Sequence, residues 1–159
     1  MDAPANLHAI SSTVMMLLPY EDPFYRTQIH TTKGILYSPK TPLETIKELI
    51  ITLNYSTYEG RRKVIIKKWD IQQNTPIPIK HRRFICAIPT KSPAAWDCIW
   101  VFYKSIKSIK EDVNKQAILH FYNGETAVLP ITHYKMTQQW RKAGNIIAQM
   151  MLDDFHNDF

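Results

Sequence analysis

The sequence predicts an α+β fold: a single domain with a mostly antiparallel sheet, two central helices and a C-terminal helix. Three observations lead there. Short β-branched and aromatic runs lie on both sides of two central helical stretches. A capping box, Thr41-Pro42-Leu43-Glu44, opens the first of those helices. An Asn123-Gly124 turn joins two strands immediately before the last helix. The chain has 159 residues, 45% of them hydrophobic, which is enough to bury one core and excludes a wholly disordered polymer.

Taken in order, residues 1–9 are expected to fray. Ser12 to Leu18 is apolar and partly β-branched, stops at Pro19, and reads as a first strand. Phe24 to Thr32 alternates loosely, and Gly34 to Tyr37 follows it, giving a second and a third short strand. From the capping box onward, Leu43, Ile46, Leu49, Ile50 and Leu53 mark one buried helical face, with Asn54 as the stop. Ser56 and Glu59 are spaced as a second capping box. The helix that follows gathers Tyr58, Ile65, Ile66 and Trp69 on one side, although Val64-Ile65-Ile66 also has strand propensity. Gly60 weakens that helix, a cost that the close approach of a bulky polymer would explain.

Asn74-Thr75-Pro76-Ile77-Pro78 reads as an extended linker or sheet edge. Arg83 to Pro89 is predicted to be a strand, Thr90 to Ala95 a loop, and Trp96 to Ser105 a long strand. The hairpin spans Ala117 to Pro130, with Asn123-Gly124 as a type I′ turn. Beyond Thr132, Met136, Trp140, Ala143, Ile147, Met150 and Met151 repeat at helical spacing. Gly144 weakens this helix slightly, and Asp153, Asp154 and Asp158 oppose its dipole, so residues 153–159 are expected to fray.

Several chemistries are left without a pattern. His8, His30, His81, His120, His133 and His156 are scattered, and none makes an HExxH pair or sits at zinc spacing from a cysteine. Cys86 and Cys98, both on predicted strands, make neither a disulfide framework nor a four-ligand metal site; a reducing cytoplasm suits them. With 4 glycines and no phosphate-loop or GxSxG motif, no cofactor, metal site or catalytic residue is predicted. Asp70 and Asp97 are the central carboxylates that a paired acid/base site would draw on, and their spacing does not bring them together. No apolar run approaches the about 20 residues that cross a bilayer, and the N-terminus lacks the basic start of a signal peptide, so neither a membrane nor export is expected.

The charge points to a polyanion. Ile51 to Lys110 holds twelve Lys/Arg against three Asp/Glu, a net of +9, while the rest of the chain has eight against eleven, a net of −3. Two clusters dominate: Arg61-Arg62-Lys63 with Lys67-Lys68, and Lys80-His81-Arg82-Arg83. Each alone could be an ordinary solvated face; together, with almost no carboxylates nearby, they suit nucleic acid. Tyr55, Tyr58 and Trp69 lie among them and could either stack on bases or pack in the core. No helix-turn-helix, zinc finger or basic zipper is visible, which favours reading of phosphates, shape and a narrow minor groove.

The segments STYEGRRK, TPIPI, RFICAIPT and above all FYNGETAVLPITHY followed by WRKAGNI resemble the ComK family of bacterial competence transcription factors. STVMMLLP fits the first strand of that family, so the resemblance runs from about Ser12 to about Met150. The hairpin is its most specific piece and the YxGR element, here Tyr58, Gly60 and Arg61, the second. The resemblance implies a cytoplasmic, nucleoid-associated activator of DNA-uptake genes. It would bind paired A/T-rich boxes in double-stranded DNA through the minor groove, as a homodimer or tetramer, with abundance set by a proteolytic adaptor. Family members can carry a longer C-terminal tail associated with activation and adaptor recognition, and the end at Phe159 leaves both in question.

The expected DNA-binding residues are Tyr58, Gly60, Arg61, Arg62, Lys63, Lys67, Lys68, Lys80, Arg82 and Arg83. Met136, Met150 and Met151 form a candidate dimer face that core packing explains equally well. The alternatives are an RNA or single-strand binding module, a DNA binder that does not activate, and, last, an enzyme acting on nucleic acid.

Overall fold

Alternation along a few apolar runs sets the architecture. A computed structural model describes residues 6–157. The first run becomes β1 (Val14–Pro19), which pairs with β2 (Thr27–Thr31), itself paired with β3 (Gly34–Ser38). The chain then forms α2 (Pro42–Asn54) and α3 (Tyr58–Trp69), after a short α1 (Leu7–Ile10) ahead of β1. β4 (Ile77–Lys80), β5 (Ile85–Pro89) and β6 (Trp100–Phe102) complete a six-stranded antiparallel sheet in the order β3-β2-β1-β6-β5-β4. A second sheet holds β7 (Ile106–Glu111), β8 (Gln116–Phe121) and β9 (Thr126–Thr132) in sequence order, and α4 (His133–Asn157) follows. The α+β class and the antiparallel pairing are as the sequence predicts.

The middle strands of the sheet, β1, β5 and β6, are buried on both faces, which is why they are apolar almost without a break, whereas β2 alternates and β3 is partly exposed. On one face Leu17, Ile85, Ala87, Trp100 and Phe102 meet Ile46, Leu49 and Ile50 of α2. On the other, Met16, Cys86, Ile88 and Val101 meet Leu119 and Phe121 of β8 and Met136, Ala143 and Ile147 of α4. A shift of register between Val14 and Met16 puts Met15 on the same side as Met16, while Val14 joins the opposite core.

α2 forms as its caps dictate. The Glu44 amide donates to Thr41 Oγ1 at 3.2 Å, the Thr41 amide donates back to Glu44 Oε1 at 3.0 Å, and Tyr55 ends the helix in the left-handed conformation. For α3 the expected cap is corrected by one residue. Thr57, not Ser56, accepts from the Gly60 amide at 3.1 Å. A Cβ on Gly60 would lie 2.9 Å from that same hydroxyl. The glycine thus has an intramolecular reason and needs no polymer pressed against the backbone.

Four further expectations are corrected. The run from Trp96 to Ser105 is not one strand. Turn bonds from Ala95 N to Ser92 O (2.9 Å) and Cys98 N to Ala95 O (3.1 Å) hold its start in a loop, and Trp96 is 74% exposed. Its end, Tyr103–Ser105, is a 3₁₀ turn that carries the chain from one sheet into the next. Cys98 therefore precedes β6 rather than lying on it, and Arg83 belongs to a 3₁₀ turn, His81–Arg83, ahead of β5. The β8–β9 connection is a three-residue loop, not a type I′ turn: only Gly124 has positive φ (93°), and the Phe121 amide bonds the Glu125 carbonyl at 2.9 Å. Of the two segments expected to fray, residues 6–9 and 153–157 are described and include Leu7, buried in α1, and the end of α4 at Asn157; residues 1–5 and 158–159 lie outside the described residues. β7 carries no sequence prediction at all.

Gly144 also has a packing reason, since a Cβ there would meet the Tyr103 hydroxyl at 2.9 Å. Met136 is fully buried in the core of α4's inner face, so of the three methionines assigned to a dimer face it is not available on the surface.

Candidate nucleic-acid interface

The two basic clusters belong to different elements, and folding brings their near ends together. α3 carries Arg61, Arg62, Lys63, Lys67 and Lys68; β4 ends in Lys80, and the 3₁₀ turn beyond it carries Arg82 and Arg83. Arg61, Lys80, Arg82 and Arg83 line one cleft of about 360 Å³, to which α4 contributes Met150. An adjoining cleft of about 280 Å³ shares Arg61 and Met150 and adds Gly60 and Val64. Lys63, Lys67 and Lys68 do not line these clefts; they are exposed along α3, while Arg62 is half-buried.

The ten expected contact residues divide by burial. Tyr58 is in the core, edge-on to Trp100 with ring centroids 6.3 Å apart, and burial raises its hydroxyl pKa. Lys47 sits 5.9 Å above its ring. Tyr58 therefore fixes α3 to the sheet rather than offering a stacking surface. Arg61 is half-buried: its Nη1 donates to the Pro78 carbonyl at 2.8 Å, its Nε is buried with no partner among the described residues, and burial lowers its pKa. A guanidinium stays charged through any such shift, so the cleft holds a fixed positive charge tied to an edge strand. That bond uses a carbonyl of β4, the last strand of the sheet, where Pro78 itself offers no donor.

One carboxylate enters the cluster from 72 residues away. Asp154 of α4 accepts from Arg82 Nε at 2.8 Å and pairs with His81 Nε2 at 2.5 Å. The His81 hydrogen bond first, and Arg82 second, hold its carboxyl below the ordinary value. No local pattern in the sequence announces this contact, because α4's end reaches the cluster only through the fold. Gln139 escapes sequence reasoning for the same reason: it is buried in α4 and donates to the carbonyls of Asn74 (2.7 Å) and Pro89 (3.1 Å).

Elsewhere the described residues hold no group of three or more histidine, cysteine or acidic side chains placed to bind a metal, and no helix long and apolar enough to cross a membrane. Asp97 pairs with Lys91 at 2.7 Å, and Asp70 accepts from Gln72 at 3.2 Å. Burial raises the Cys86 and Cys98 thiol pKa values, which leaves them poor nucleophiles.

Fold and surface together define an α+β protein whose charge-bearing helix borders two adjoining clefts and whose basic residues outnumber the acids that reach them. The chain belongs to the ComK family: residues 6–154 match the family described as ComK protein. It is also 24% identical over 139 residues to a protein of Bacillus subtilis (strain 168) named "Competence transcription factor", an alignment covering 87% of this chain and 72% of that one. No solved structure matches the chain.

Proposed function

We propose that this protein is a DNA-binding transcription regulator, an activator of competence genes, that acts by binding rather than by catalysis. Membership of the ComK family and the relative's name support the regulatory role. The observation that carries the DNA assignment is the exposed cationic row Lys63, Lys67 and Lys68 on α3, continued by Lys80, Arg82 and Arg83 across the cleft. These side chains hold phosphates, and Arg62 and Arg83 are the arginines available to a narrow A/T-rich minor groove. Arg61 and Tyr58 support that surface from beneath, and Gly60 serves the Thr57 cap.

Paired A/T-rich boxes require a two-fold assembly. With Met136 in the core, the face of α4 left for it carries Met151, Leu152 and Phe155. A cytoplasmic, nucleoid-associated location and control by a proteolytic adaptor belong to the same proposal.

The test is a titration of the protein against three nucleic acids of equal length over several salt concentrations: a duplex with paired A/T boxes in helical phase, a G/C-rich duplex, and a single strand. Preference for the A/T duplex that persists as salt rises is the expected result. Equal, steeply salt-dependent binding to both duplexes reduces the reading to a basic surface. Preference for the single strand replaces it with a stacking module, for which Tyr55, 95% exposed, is the most exposed of the three aromatics among the basic clusters.

A further inference from the structure

The connection from α3 to β4 is held in a fixed shape at the other end of α3. Asp70 (φ 54°) and Asn74 (φ 50°) both occupy the left-handed region, Asp70 as the C-cap of α3 with its amide bonded to the Ile66 carbonyl at 2.9 Å. Between them lie only Ile71, Gln72 and Gln73. The segment is fastened from two sides. The Thr75 hydroxyl donates to the Ile71 carbonyl at 3.1 Å, and the buried Gln139 amide donates to the Asn74 carbonyl at 2.7 Å.

The held segment presents amides. Gln72 and Gln73 are exposed and, with Trp69, Lys142 and Asn145, line a cleft of about 530 Å³. The Gln73 and Asn145 amides and the Lys142 ammonium have no side-chain partner among the described residues, while Gln72 Nε2 reaches Asp70 at 3.2 Å. Lys67 and Lys68 stand in the last turn of α3, directly before Trp69. Trp69 and Arg61, which mark the two ends of the basic helix, are eight residues apart, about 12 Å at the helical rise. The amide cleft and the cationic cleft therefore lie at opposite ends of one helix, each completed by α4.

A carboxamide offers a donor and an acceptor side by side. It pairs with two edge atoms of adenine in the major groove, and its N–H₂ donates to the acceptors that A·T pairs show in the minor groove. Phosphate contacts position a protein on DNA, and contacts to base edges specify the sequence. We infer that the Ile71–Gln73 segment is the base-reading element of this protein: Gln72 and Gln73 contact base edges at A·T pairs, while Lys67, Lys68 and Lys142 hold the flanking phosphates. This rests on the DNA-binding reading above and adds to it the residues that discriminate between sequences.

Two double variants test it: Gln72→Ala with Gln73→Ala, and Lys67→Ala with Lys68→Ala. All four side chains are exposed, and equal thermal melting confirms that each variant is folded. Each is titrated by fluorescence anisotropy against A/T-rich and G/C-rich duplexes over a range of salt. The glutamine variant should lose A/T preference, roughly 5- to 100-fold in the affinity ratio, with an unchanged salt slope. The lysine variant should weaken both duplexes alike and flatten the salt slope by up to about 2. A glutamine variant that keeps the wild-type ratio, or that loses affinity equally for both duplexes, overturns the inference and leaves DNA binding standing. A wild-type protein that binds duplexes without preference also overturns it, and one that binds no duplex removes both readings.

Discussion

Arg61 and Lys63 stand two residues apart in one basic run and do different work. The Arg61 guanidinium is drawn under the surface by the Pro78 carbonyl, 2.8 Å away, and joins α3 to the edge strand β4. Removing it leaves the carbonyl of buried Pro78 without its charged donor. Arg61→Ala should therefore cost about 1–3 kcal/mol in urea unfolding. Lys63 is exposed and has no such role. Lys63→Ala should leave stability within about 0.5 kcal/mol and reduce the salt slope of DNA binding by about 1. Equal stability losses in the two variants would mean that Arg61 is not the support its geometry describes. Composition and spacing cannot separate these two residues, since a run of charges carries no sign of which member faces inward.

At the scale of elements, one carboxylate ties the last turns of α4 to the 3₁₀ turn His81–Arg83. Asp154 has a lowered pKa in the folded chain, caused first by the His81 hydrogen bond and then by Arg82. A depressed folded value means that the stabilisation is complete above the unfolded value of 3.8 and is lost as pH falls through the lower folded value. The end of α4 should thus stay docked near neutrality and loosen below about pH 4. Hydrogen exchange of the amides in 150–157, compared at pH 6 and pH 3, measures this. Asp154→Ala should show the fast exchange already at pH 6; protection equal to the wild type would remove the latch. The elements legible in the sequence are those made by neighbours. The Thr41–Glu44 box needs four consecutive residues, and α2 appears as expected. The contacts that were not legible join distant positions, as Asp154 to Arg82 and Gln139 to Asn74 do. The strand expected over Trp96 to Ser105 failed for a related reason. Polar residues do stand at its breaks, Asp97 in the loop and Lys104 and Ser105 in the 3₁₀ turn, but each is compatible with the end of a strand, and only Trp100–Phe102 of the apolar stretch between them pairs as β6.

The whole molecule is organised about a sheet whose strands serve two cores at once. Ile85 and Ala87 face α2 while Cys86 and Ile88 face α4 and the second sheet, and Trp100 and Val101 divide in the same way. Neither core can be opened without moving strands that the other also uses. The fold is therefore expected to unfold in one step, although it contains two sheets and two hydrophobic clusters. Leu49→Ala empties the first cluster and Ile147→Ala the second, each at about 2–5 kcal/mol. Cys86 reports the second cluster directly: it is fully buried, and burial raises its thiol pKa, so a disulfide reagent reaches it only when the sheet opens. In a Cys98→Ala background, the midpoint for Cys86 labelling in urea should coincide with that for loss of helical circular dichroism. Both variants should shift the two midpoints together. If Leu49→Ala moves the circular dichroism midpoint and leaves Cys86 protected, the two cores are separable, and the shared strands do not couple them.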